Sequence, residues 1–282
     1  MIRPRLAGFV LAAALVAGFH AAASSRFDDA PFGKQRVTFK SGGLTLVGYL
    51  FRPAGDGPFP AVVWNHGSEP NPGGGRQFDT VASIFVPAGY VVFAPMRRGH
   101  SDSEGEYIVS ARDKEAARGG RGAAQRLMNR LLETSQLADQ LAGLDVVRKL
   151  PFVDTSRLVV AGCSFGGIQT LLGAEANVGY RAAISISPAA LNWGHNPELE
   201  SRLQRAARTI DVPVFLIQPA KDASLGPAKV LGPILESRDH ASRTKIFPAE
   251  GPTEEQEHCF GGARGMHVWG PDAVAFLKEV LR

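Results

Sequence analysis

Apolar positions along the chain follow two rhythms. Plain alternation occupies 36–40 (RVTFK) and 44–51 (LTLVGYLF), on either side of Ser41-Gly42-Gly43. Alternation around a glycine-rich turn predicts an antiparallel hairpin. Five later runs are apolar without alternation: 61–64 (AVVW), 90–94 (YVVFA), 158–161 (LVVA), 182–186 (AAISI) and 214–217 (VFLI). Runs of that kind belong to strands covered on both faces. A shorter, half-polar run at 244–247 (TKIF) has the character of an edge strand. Between the runs the spacing turns helical. Phe78, Val81, Ala82 and Phe85 share one face, as do Leu137, Leu141, Leu144 and Val147 within 131–150; 168–176, 228–235 and 272–281 follow the same rule. Strand and helix in alternation after a leading hairpin predict an α/β fold. Its sheet is eight-stranded and mostly parallel, with helices on both faces. No internal repeat and no second domain interrupts it. The segment 101–130, rich in Gly, Arg and Glu, fits either a small cap insertion, a loop and a short helix over the top of the sheet, or a plain surface connection.

The first residues read differently. Arg3 and Arg5 precede an apolar stretch from Leu6 to Phe19, and Ala21-Ala22-Ala23 follows. A short positive region, a brief apolar core and small residues at a cleavage point describe an export signal. We expect cleavage before Ser24, leaving 24–282 as one α/β domain exported to the periplasm or the medium, with membrane contact only through the signal. A retained anchor is the alternative, but a bilayer needs about 20 apolar residues.

Composition narrows the chemistry. Hydrophobic residues make up 44% of the 282 residues and the formal net charge is +4, which excludes a disordered chain. No Lys/Arg-rich run with interleaved aromatics is present, so no nucleic-acid partner is expected. Two cysteines exclude a disulfide scaffold and a four-cysteine zinc module. The chain contains no HExxH, no Walker loop and no GxGxxG after a first strand; neither metal nor organic cofactor is expected.

The sharpest motif is Gly162-Cys163-Ser164-Phe165-Gly166, which follows a buried strand and precedes a helical run. A serine on a tight strand-to-helix turn projects its hydroxyl above a sheet. Glycines two residues to either side let neighbouring backbone pass without a Cβ clash. The helix start then supplies free N–H groups, Phe165 first, for a developing oxyanion. Cys163 lies one residue before the centre of the motif, so Ser164 is the nucleophile.

With this elbow in place, the chain from about residue 35 to its end resembles the α/β-hydrolase superfamily, in particular its dienelactone-hydrolase and prolyl-oligopeptidase-like branch. The resemblance implies the order nucleophile, acid, base. It assigns the acid to Asp222, just past the strand-like 212–219. For the base it favours His258, in Glu257-His258-Cys259-Phe260-Gly261-Gly262, over His267, in Gly265-Met266-His267-Val268-Trp269. Pro271 is expected to open the last helix, with Trp269 buried ahead of it. Trp64-Asn65-His66-Gly67-Ser68 matches the family's oxyanion turn, with Ser68 N–H as the second donor and His66 structural. Arg97-Arg98-Gly99-His100-Ser101-Asp102-Ser103-Glu104-Gly105 resembles a structural loop of the family, with Ser101 where a second glycine would stand and Arg98 a candidate for an acidic partner.

If Ser164 and His258 meet, their neighbours Cys163 and Cys259 come close. A disulfide between them and a pair of unbridged thiols both remain open, the thiols preferred. The reading preferred on these residues is an exported serine hydrolase, a carboxylesterase acting on small or medium ester or amide substrates. Too little chain precedes residue 35 to form a peptide-gating propeller, which favours ester over peptide. A prolyl-oligopeptidase-type peptidase and a non-catalytic envelope binding protein are the alternatives. Trp193, Asn192, Met96 and Tyr107 are candidate pocket residues, each equally at home in packing.

Overall fold

The computed structural model describes residues 32–72, 77–238, 241–248 and 256–282. The expected export signal at 1–23 and the glycines 73–75 lie outside the described residues. Eight strands form a single sheet in the order β1-β2-β4-β3-β5-β6-β7-β8. They are β1 (Gln35–Ser41), β2 (Leu44–Phe51), β3 (Phe59–Asn65), β4 (Val91–Pro95), β5 (Val153–Cys163), β6 (Tyr180–Ile186), β7 (Val214–Pro219) and β8 (Arg243–Phe247). The pair β1–β2 is an antiparallel hairpin in register Ser41↔Leu44. Gly42 and Gly43 both take positive φ, 53° and 85°, as a two-residue turn of matching twist requires. Strand β2 meets β4 antiparallel; every pairing from β4 to β8 is parallel. The half-polar β8 closes one edge, as its pattern predicts.

Continuous apolar runs are explained by the two cores. Ala61 and Val63, Val91 and Phe93, and Leu158 and Val160 point into one. Val62 and Trp64, Val92 and Ala94, and Val159 and Ala161 point into the other. Successive side chains of a strand face opposite ways, so a strand with both faces covered is apolar at most positions, Ser185 of β6 and Gln218 of β7 being buried exceptions. The second face is covered by α1 (Gln77–Phe85) and α7 (Met266–Val280). Trp269 of α7 stacks on Trp64 with centroids 6.0 Å apart and planes 7° from parallel. The first face is covered by α2 (Ile108–Glu133), α3 (Ser135–Arg148), α4 (Phe165–Glu175), α5 (Pro197–Thr209) and α6 (Gly226–Glu236). Among the described residues no helix is long and apolar enough to cross a membrane.

Three expectations are revised. The segment 101–130 is chiefly helix: α2 begins at Ile108 and bends where Gly120 takes φ 77°, ψ 179°, a conformation only glycine enters without strain. The run 131–150 is two helices, divided at Thr134 (φ −113°, ψ −94°). The last helix starts at Met266, with Pro271 inside it rather than at its first position. Trp269 is buried as expected. Helix α5 was not anticipated, although its signals are ordinary: Asn196 accepts a hydrogen bond from Leu199 N–H at 3.2 Å, and Pro197 sits at the first position.

Candidate active site

Strand β5 ends at Cys163, and α4 begins at Phe165. Ser164 between them takes φ 59°, ψ −118°, a strained conformation for a residue with a side chain. It is held from both sides: Ser164 N–H donates to Ile186 O at 2.9 Å, and Ser164 O accepts from Ile168 N–H at 3.1 Å. The flanking glycines have a steric reason. A Cβ on Gly162 would sit 2.5 Å from Asn65 O, and one on Gly166 only 2.0 Å from that oxygen and 2.8 Å from His66 O. The turn after β3 is thereby drawn against the serine elbow, which places Ser68 beside Ser164.

His258 arrives from the other side, at the start of a short 3₁₀ segment His258–Gly265 that leads into α7. Its Nε2 lies 2.8 Å from Ser164 Oγ and its Nδ1 lies 2.7 Å from Asp222 Oδ1. A carboxylate at Nδ1 fixes the proton there and leaves Nε2 as acceptor for the serine hydroxyl. Asp222 stands just past β7 and its side chain is wholly buried. Burial opposes its charge, but hydrogen bonds from His258 and from Gln218 Nε2 (to Oδ2, 2.8 Å) outweigh it and hold the carboxyl below its ordinary range. Ala223 N–H also donates to Oδ1, at 2.8 Å. His267 is elsewhere: exposed in the first turn of α7, it pairs through Nδ1 with Arg264 O at 2.8 Å. Of the two histidines, the structure brings His258 to the serine.

The turn after β3 is braced by buried side chains. His66 is fully buried; its Nδ1 meets Gly67 O at 2.9 Å and its Nε2 accepts from Arg97 N–H at 3.1 Å. Burial first, and the Arg97 charge second, hold the His66 imidazole well below its usual range, hence neutral. The Arg97 guanidinium, also fully buried, donates to the His66 and Gly67 carbonyls at 2.8 and 2.7 Å and to Gln136 Oε1 at 3.2 Å, and it lies over the Phe165 ring. The Tyr107 hydroxyl donates to Ser68 O. Neither Ser68 N–H nor Phe165 N–H finds an acceptor among the described residues. Arg98 forms a bidentate pair with Asp139 at 2.8 and 2.9 Å, and Ser101 takes the left-handed conformation (φ 50°) a glycine would enter freely.

A cavity of about 570 Å³ opens over Ser164 and His258, walled by Trp64, Tyr107, Val109, Ile186, Leu191 and Met266. A second, of about 680 Å³, adjoins it through shared residues Ser68, Val109, Arg112 and Leu191, and reaches Phe165 and Asn192. Helix α2 walls both, so the segment 101–130 bounds the site. Of the pocket candidates, Tyr107 lines the first cavity and Asn192 the second. Met96 is buried in a core, and Trp193 packs on Gly226. Cys163 and Cys259 are joined in a disulfide with Cα atoms 6.1 Å apart, so the preferred expectation of two thiols is corrected. The bridge follows from the meeting of Ser164 with His258, which brings their neighbours within bonding range. Sequence reasoning missed Gln218 and Arg97; a polar residue inside an apolar strand was the available signal for Gln218. Among the described residues no group of three or more His, Cys, Asp or Glu could hold a metal ion.

Known proteins share this framework. Acylaminoacyl peptidase of Pyrococcus horikoshii superposes with a TM-score of 0.64 at 19% identity, over 88% of this chain and 41% of its own. An esterase of Pyrococcus furiosus gives 0.64 at 16%, over 89% and 94%. Est1E of Butyrivibrio proteoclasticus, solved with ferulic acid bound, gives 0.64 at 17%, over 87% and 99%. The chain has the α/β-hydrolase fold. Its residues 116–196, which include the elbow, match the prolyl oligopeptidase family. The quorum-quenching protein AidA of Acinetobacter baumannii is 30% identical over 155 residues, 54% of this chain and 43% of that protein. The chain thus spans less than half the length of that curated relative.

Proposed function

We propose that this α/β-hydrolase chain is an exported serine hydrolase that cleaves carboxylic esters of small or medium size through an acyl-enzyme on Ser164. The observation that carries the reading is the single line of hydrogen bonds from Ser164 Oγ through His258 to Asp222, at 2.8 and 2.7 Å. As Ser164 Oγ attacks the carbonyl carbon, its proton passes to His258 Nε2, and Asp222 stabilises the imidazolium. The negative charge that develops on the carbonyl oxygen falls to the N–H groups of Ser68 and Phe165. His258 returns its proton to the departing alcohol, then takes one from the water that frees the acid. Two cavities meeting at Ser68 accommodate the acyl and alcohol halves. Largely apolar walls of the first suit an uncharged hydrocarbon or aromatic portion. Export is supported by the residues at 1–23 and by the disulfide, which persists in oxidising compartments.

The test is covalent labelling with a fluorophosphonate followed by turnover of p-nitrophenyl esters. Ser164→Ala and His258→Ala should lower kcat by about 10⁴-fold or more, whereas His267→Ala should leave it within about twofold, since its imidazole is exposed and pairs with Arg264 O. Well-folded protein that neither labels nor turns over would return the chain to the non-catalytic reading. The match to the prolyl oligopeptidase family favours a second reading, peptide-bond cleavage. Faster release from amino-acyl arylamides than from matched esters would select it.

A further inference from the structure

The disulfide joins the residue before the nucleophile to the residue after the base. We propose that the Cys163–Cys259 bridge is the positioning element of the triad and makes activity depend on redox state: the oxidised chain turns over and the reduced chain does not. The inference rests on the serine-hydrolase reading above. Its first support is connectivity. Ser164-Cys163 and Cys259-His258 become one short covalent path, although 96 residues separate the two cysteines along the chain.

Its second support is the backbone that carries His258. Four consecutive residues, Cys259, Phe260, Gly261 and Gly262, have φ of 54°, 57°, 65° and 70°. The two glycines enter that region freely; Cys259 and Phe260 do so against the steric preference of residues with a Cβ. Such a conformation persists only where its surroundings over-determine it. Phe260 supplies one hold, being fully buried and edge-on to Phe247 at 5.5 Å. The Phe260 N–H bond to Glu257 O, at 2.8 Å, supplies another. Those holds act on Phe260 and on the backbone. At Cys259 itself the hold is covalent, through the bridge. Released there, the segment can relax toward right-handed geometry and swing the His258 ring off Ser164 Oγ. A displacement near 1 Å at such a contact costs about 100-fold in rate.

The third support is access. Cys163 and Cys259 both line the cavity that holds Ser164 and His258, so a small dithiol can reach the bond. Its thiolate attacks one sulfur, the Cys163–Cys259 bond breaks, and a mixed disulfide forms. Its second thiol resolves that bond, leaving two protein thiols and the cyclic disulfide of the reagent. A disulfide oxidant reverses the exchange, taking up the two electrons and two protons. Should residues 1–23 direct export, the chain would remain silent in a reducing cytosol and gain activity where the bridge forms.

The experiment compares full-length protein before and after dithiothreitol, with free thiols counted. The readouts are ester turnover, the rate of fluorophosphonate labelling, and the low-field proton resonance between His258 Nδ1 and Asp222. The expected result is a fall in kcat and labelling rate of about 100-fold with a much smaller change in KM. The low-field resonance should be lost, circular dichroism should remain native, and activity should return with oxidised glutathione. Cys163→Ala/Cys259→Ala should match the reduced protein and not respond to dithiothreitol. Two outcomes overturn the proposal: reduced, folded protein within twofold of the oxidised kcat, or global unfolding on reduction, which would make the bridge a stability staple. If oxidised protein neither labels with the fluorophosphonate nor turns over esters or arylamides, the hydrolase reading falls, and persistence or loss of the low-field resonance still decides the positioning claim.

Discussion

A carboxylate that orients an imidazole must itself be held, and in this protein Gln218 does the holding. The side chain lies inside β7, fully buried. Its Nε2 donates to Asp222 Oδ2 and to Ser224 O at 2.8 and 3.0 Å, while its Oε1 accepts from Ala228 N–H at 2.7 Å. One amide thus ties the acid to the strand end and to the start of α6. Gln218→Leu keeps the volume and removes all three bonds. A hydrogen bond to a charged group contributes about 1.5–3 kcal/mol, so kcat should fall by about 10- to 100-fold, with KM nearly unchanged. The Asp222 carboxyl, deprived of a donor, should rise toward its ordinary range. A variant with wild-type kcat would remove Gln218 from the machinery.

At the scale of elements, the site depends on how closely one turn can pass another. The β3–α1 turn carries Ser68, and the β5–α4 turn carries Ser164. Gly166 is the point of passage, because a Cβ there would overlap the backbone oxygen of Asn65. Backbone cannot yield as a side chain does, so Gly166→Ala must push the turns apart. We expect a loss of about 1–3 kcal/mol in stability and, as Ser68 N–H leaves the oxyanion position, a fall in kcat of about 100-fold or more. Gly122→Ala is the control. It lies in α2, its nearest contact would be the flexible end of Arg126 at 3.5 Å, and its φ is not positive. There the same chemical change should leave kcat alone and stabilise the fold by about 0.4–1 kcal/mol. Denaturant unfolding and ester turnover on the two variants separate the cases.

For the whole molecule, the acid tolerance is expected to depend on two buried histidines, His66 in the β3–α1 turn and His100 packed against it. His100, edge-on to Tyr107 at 5.0 Å and 4.6 Å from the His66 ring, is brought down from 6.5 to about 4, by burial first and by Arg97 second. His66 is lowered too. Between pH 6.5 and about 4 the unfolded chain therefore binds protons that the folded chain refuses, and stability falls as pH falls through that window. Asp222 acts in the same direction at lower pH. Its depressed pKa contributes stability that is present above the ordinary carboxylate range and is lost as pH falls through the folded value. His100→Asn removes one titration and retains a donor for Arg98 O, which His100 Nδ1 meets at 3.0 Å. The plot of Tm against pH from 6.5 to 4 should be shallower for this variant than for the parent. An equal slope would mean that His100 takes up its proton in the folded state as readily as in the unfolded one.

What the chain encodes locally was legible. A strand covered on both faces is apolar at most positions, so 61–64, 158–161 and 214–217 announce a buried sheet, and its layers follow. Gly162 and Gly166 around Ser164 mark an elbow, because only glycine leaves room for a passing backbone. Asn196-Pro197 marks the start of α5 as plainly, by a capping side chain and a proline at the first position. Tertiary structure alone decided between His258 and His267. The Ser164–His258 and His258–Asp222 contacts span 94 and 36 residues and depend on β5, β6 and β7 lying side by side in the sheet. It also decided that the two cysteines are joined and that α2 walls the pocket. Periodicity records which way a side chain faces within its own element. Which groups come within 3 Å across the sheet is set by the order in which strands pair, and that order is a property of the assembled core.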